Sequence, residues 1–228
     1  PVGPFTFVHA VLPPGGMRSF DASLFLDARR GVAYRVQDVE HQSIGFYELD
    51  GAFTNFSGKA PVAVLNERRE AVAPFYWDGR YYLATSGVSG WAPTASKLYS
   101  RGDLLSAGGW ESSNPFPKGP ARGTSFWSQS AHVLVYDAIA TAGSGGGGGG
   151  GGGAGGGRSV RQQALWMADR WCGAPPHRCK SDWCPCLLNA SYLWLPLSRT
   201  AAKVSVQWCG EGWKPAPPMW SPRPAAVT

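Results

Sequence analysis

Charge is scarce in this sequence: only 16% of its 228 residues are Asp, Glu, Lys or Arg. A helix-rich domain carries many more Lys, Glu and Ala in periodic stretches, so that class is disfavoured from the start. Long apolar runs are missing too. None approaches the roughly 20 residues that a membrane span needs, and no membrane partner is expected. No basic stretch followed by an apolar one opens the chain, so a signal peptide is either absent or already removed. The sequence opens on Pro1, as a processed product or a fragment would. Lys and Arg outnumber Asp and Glu, 21 to 15, but they are scattered, and no stretch resembles a nucleic-acid-binding motif. The formal charge of +6 therefore reads as a solvated surface, without a nucleic-acid partner.

What the chain has instead is 31 Gly, 19 Pro and 11 Trp. Short aromatic segments punctuated by Gly and Pro suit an all-β sandwich, barrel or propeller. The length allows a sizeable core in one domain, or at most two. Cys172, Cys179, Cys184, Cys186 and Cys209 do not form the paired C-x2-C knuckles of common zinc sites. Two disulfides and one free thiol, in an oxidising compartment, fit them better, with the pairing left open. The sequons Asn55-Phe56-Ser57 and Asn189-Ala190-Ser191 also favour a secreted, extracellular protein.

Residues 143–157 are Gly apart from Ser144 and Ala154, which predicts a flexible loop or boundary because nothing there can be buried. Strand-like segments on both sides favour a loop within one domain, residues 1–213. Residues 214–228, with Pro215, Pro217, Pro218, Pro222 and Pro224, read as an extended tail. Strand patterns recur at residues 32–36, 43–49, 61–65, 132–136, 164–168, 193–197 and 203–208. Residues 75–77 and 80–85 flank Asp78-Gly79, a two-residue hairpin signal. A helical turn is predicted within residues 95–105. Short strands without a long helix argue against a parallel α/β fold.

Hydrolysis of a glycosidic bond needs a protonated carboxylic acid among neighbours that raise its pKa. Glu70 meets that description, opening the apolar stretch Ala71-Val72-Ala73-Pro74-Phe75-Tyr76-Trp77. A strand-end Glu paired with Arg68 or Arg69 is the alternative. Residues 69–93 (REAVAPFYWDGRYYLATSGVSGWAP) resemble a signature of the exo-β-1,3-galactanase-like (galactan 1,3-β-galactosidase) branch of glycoside hydrolase family 43. Matching blocks stand in order at Ser19-Phe20-Asp21-Ala22-Ser23-Leu24-Phe25, at residues 123–130 (GTSFWSQS), at Asp169-Arg170-Trp171 and at residues 192–197 (YLWLPL).

The resemblance implies a five-bladed β-propeller that inverts the anomeric centre while cleaving terminal β-galactosyl linkages. Glu70 matches its general acid and Asp21 the carboxylate that tunes that acid. Gln129 matches a glutamine thought to position water. Glu40, Tyr82, Trp91, Trp127 and Asp169 match or suit sugar-binding positions. No cofactor is implied, since the family's calcium, where present, is structural, and a monomer acting on a poly- or oligosaccharide, as in a cell wall, is expected. Family members carry a whole blade before the block near Met17, so about four blades are expected here and the ring is expected to be incomplete. That leaves a carbohydrate-binding propeller without turnover as the alternative function. Phe20 replaces the family's Arg, Val72 a Pro, Val88 a Cys and Thr94 an Asn.

Overall fold

The computed structural model describes residues 3–90, 94–105, 109–116, 122–126, 128–139, 160–170, 191–200 and 203–207. The Gly-rich segment, the five cysteines, Asn189 and Ala190 of the second sequon, the Pro-rich tail, Trp91 and Trp127 lie outside the described residues. Within them the regular structure is nearly all strand, with single 3-10 turns at Pro14–Gly16 and Arg122–Thr124.

Among the described residues, twelve strands follow one another in three antiparallel sheets of four. Sheet 1 holds β1 (Ser19–Asp27), β2 (Val32–Val39), β3 (Ser43–Glu48) and β4 (Ala63–Leu65). Sheet 2 holds β5 (Arg69–Trp77), β6 (Arg80–Gly87), β7 (Lys97–Arg101) and β8 (Glu111–Ser113). Sheet 3 holds β9 (Ser128–Ile139), β10 (Val160–Arg170), β11 (Ser191–Arg199) and β12 (Val204–Val206). Strand order equals chain order in each, which is the blade unit of a β-propeller. The Asp78-Gly79 signal is borne out: both residues have left-handed φ, 46° and 84°, and Trp77 pairs with Arg80 across them.

Two cores hold the sheets together. Phe25, Tyr34, Val36, Ile44 and Phe46 of sheet 1 pack on Val72, Tyr81, Leu83 and Tyr99 of sheet 2. The other face of sheet 2, with Ala73, Phe75, Trp77, Tyr82 and Leu98, packs on Val133, Ala164, Trp166 and Leu195 of sheet 3. A sheet covered on both faces needs apolar side chains in both directions, so its strands read as continuous runs. This explains the unbroken Ala71-to-Trp77 stretch. It also corrects the helical turn expected near residue 100. Lys97–Arg101 is a strand whose consecutive Leu98 and Tyr99 are buried in different cores, which erases the alternation that marks a half-exposed strand. The outer faces of the series differ: Leu24 and Leu26 on sheet 1 and Trp194 on sheet 3 are exposed.

Candidate active site

The inner strands of the three sheets, β1, β5 and β9, pack side by side in chain order. Near the start of each stands one residue singled out by the sequence: Asp21, Glu70 and Gln129. Each strand is also irregular there. On β1 the pairing jumps from Ser19–Val39 to Ala22–Gln37, so Phe20 and Asp21 together face Asp38. On β5 it jumps from Glu70–Ser86 to Ala73–Ala84, and Ala71 and Val72 face Thr85. On β9, Ala131 is the extra residue between Ser130 and His132. A bulge bends the strand and re-aims the side chains beside it.

The β5 bulge is held from both neighbouring sheets. Ala71 has φ 54°, a left-handed conformation that costs an L residue roughly 1–2 kcal/mol. Its N–H donates to Asp21 Oδ2 (2.8 Å), and its carbonyl accepts from Ser130 Oγ (2.6 Å). Ser23 Oγ donates to the next carbonyl, that of Val72 (2.5 Å). Ser130→Ala removes the donor to a buried carbonyl and is expected to destabilise the fold by about 1–3 kcal/mol, measured by urea unfolding. An unchanged midpoint would show that the bulge stands without Ser130.

Glu70 is 8% exposed. Burial pushes its carboxyl above the ordinary range, and the Asp21 charge adds to that, against the Ser89 N–H and the charge of His41. Gln129 Nε2 donates to Glu70 Oε1 at 3.3 Å, which brings β9 to the acid. The ion-pair alternative does not hold for Arg69. Its guanidinium donates to Thr85 Oγ1 (2.9 Å), the Thr85 carbonyl (3.3 Å) and the Ala95 carbonyl (3.0 Å). A proton held on an acid with little water access is what leaving-group protonation requires.

Two neighbours of the site carry no motif. Asp38 on β2 is fully buried; its Oδ1 accepts from the His41 N–H (2.8 Å), and its other oxygen contacts His41 Nδ1. The imidazole stacks on Phe20, with ring centres 4.0 Å apart. One signal in the sequence bears on Asp38: it shares its strand parity with Tyr34 and Val36, the core-facing positions of β2.

The remaining sequence candidates divide. Asp169 pairs in register with Gln129, so β10 runs beside the site. Glu40 is exposed in the turn after β2. Tyr82 is not at the site. It pairs with Phe75, roughly 16 Å along the strand from Glu70. Its ring stacks on that of Phe75 and it is 4% exposed, so it is a core residue at the other end of the sheets. Among the described residues no group of three or more His, Cys, Asp or Glu is placed to hold a metal ion.

No protein-family model and no curated protein matches the sequence. Solved structures do. An exo-β-1,3-galactanase from Clostridium thermocellum is 25% identical with a TM-score of 0.61, over 85% of this chain and 35% of that one. A family 43 β-1,3-galactosidase solved with galactodeoxynojirimycin is 26% identical with a TM-score of 0.61, over 87% of this chain and 47% of that one. An exo-β-1,3-galactanase from Phanerochaete chrysosporium, solved with β-1,3-galactotriose, is 25% identical with a TM-score of 0.60, over 85% and 36%. The chain thus spans between about a third and a half of the length of these proteins. In fold it is similar to glycoside hydrolases of family 43.

Proposed function

We propose that this chain carries the acid site of a glycoside hydrolase that cleaves terminal β-galactosyl linkages of a β-1,3-galactan-like chain with inversion. The observation that carries the reading is the buried Glu70 carboxyl, which accepts from Gln129 of β9 and stands at the bulge that Asp21 of β1 holds, with burial pushing it above the usual carboxylate range. Glu70 is the general acid. Asp21 fixes the bulge that aims it and, by its charge, keeps the proton in place. The bond from Gln129 makes Oε1 an acceptor, which favours Oε2 as the oxygen that carries the proton to the leaving group. Positioning water across the sugar is a second role for Gln129. An inverting pair stands roughly 6.5–9.5 Å apart, so that role requires the amide to part from Glu70 when sugar enters.

The exposed apolar faces of the outer sheets support a five-bladed ring in which each would be covered. An extracellular setting is favoured by Asn55, exposed in the loop between β3 and β4 and open to glycosylation. The β-1,3-galactotriose in one of the similar structures supports the substrate class.

The test is hydrolysis of β-1,3-galactotriose followed by proton NMR, which reads both the rate and the anomer first released. Galactose appearing as the α-anomer supports the reading; the β-anomer sinks inversion. Binding without release favours a sugar-binding propeller instead, a reading that the short span relative to the similar proteins also allows.

Asp21→Asn removes a charge that holds the proton on Glu70. The alkaline limb of the pH–rate profile is therefore expected to move to lower pH, since Glu70 then ionises sooner. An unmoved limb would leave Asp21 as a scaffold for Ala71 alone.

A further inference from the structure

We propose that Asp38 and His41 are positioning residues for Glu70: a buried carboxyl and the half-buried imidazole paired with it, set on sheet 1 opposite the Asp21 bulge that holds the acid's strand on sheet 2. The proposal rests on the reading of Glu70 as the acid, and it concerns residues that the family resemblance did not single out.

The geometry carries it. Asp38 is the single residue opposite the Phe20–Asp21 bulge, so its carboxyl lies beside the one that holds Ala71. It is fully buried, and its two oxygens are taken by the N–H and the ring nitrogen of His41. Phe20 caps the imidazole face to face, which fixes the ring where the family's Arg would bring a cation instead. A buried carboxylate must be paired or neutralised, and the imidazole is the group that meets it.

Among the described residues, the other groups that face Glu70 are Asp21 on β1, Gln129 on β9, the Ser89 N–H and, on its own strand, Arg69. Arg69 is directed to Thr85 and Ala95. Asp38 and His41 act on Glu70 with opposite signs: the carboxylate favours its protonated form and the charged imidazole its ionised form.

The experiment is a carbon-13 NMR titration of the Glu70 carboxyl in the wild-type chain and in Asp38→Asn and His41→Gln. Asp38→Asn is expected to lower the Glu70 midpoint and His41→Gln to raise it, each by about a three- to tenfold change in protonated fraction at fixed pH. Midpoints that stay put, or that move in the same direction, overturn the proposal. Should Asp38→Asn fail to fold, His41→Gln decides alone: a rise supports the pair, and no change or a fall overturns it. The titration needs no turnover. Midpoints that shift as expected in a chain that never releases galactose would therefore sink the hydrolase reading and leave the coupling standing.

Discussion

Glu70→Gln is expected to lower kcat on β-1,3-galactooligosaccharides by about 10²–10⁴-fold, the usual contribution of a positioned acid. The amide keeps the shape of the side chain and can still meet Gln129, but it cannot deliver a proton to the leaving oxygen. KM should change little, because the lost interaction belongs to the transition state. The decisive comparison is with a dinitrophenyl β-galactoside, whose leaving group departs without protonation. On that substrate the variant should lose far less activity. An equal loss on both substrates would mean that Glu70 supports the structure or the sugar rather than the departing oxygen.

Trp166→Ala is expected to destabilise the fold by about 3–5 kcal/mol, read from urea unfolding followed by circular dichroism. Trp166 is fully buried where sheet 3 meets sheet 2, and the ring of Phe116 meets it edge-on with centres 5.2 Å apart. Domains are stable by only about 5–15 kcal/mol, so this one truncation removes a large part of the margin. Trp166→Phe is the informative partner. The indole Nε1 is buried with no hydrogen-bond partner among the described residues, and phenylalanine removes that donor while keeping much of the ring volume. Its loss should be well below that of alanine. Equal losses would show that shape, not burial, dominates the site.

Much of this was legible in the residues. The Asp78-Gly79 hairpin follows from a turn type that two left-handed residues alone can make, a local rule that tertiary context rarely overturns. In β11 the buried Leu195 and Leu197 alternate with more exposed neighbours and the strand announces itself, whereas β7 is hidden because Leu98 and Tyr99 serve different cores. Glu70 stood out as a carboxylate against an apolar run. Tyr82 looked like a sugar platform for the same reason that it is a core residue: flat aromatic faces suit both. Nothing in the sequence separates the two uses without knowing how far it lies from the acid. The Asp38–His41 pair was out of reach because its meaning arises in three dimensions, from the bulge that sets Asp38 opposite Asp21. Spacing along the chain carries no trace of that.

The hydrogen bonds to the Ala71 peptide have a wider meaning. Its N–H is satisfied by a residue of the preceding sheet and its carbonyl by one of the following sheet. A molecule that had formed every hairpin but not docked the three sheets would have full strand content and a misdirected acid. Catalysis would then report assembly rather than secondary structure. In a denaturant titration, activity should vanish with the docking of the outermost sheet to come apart, even while the far-ultraviolet spectrum still looks native.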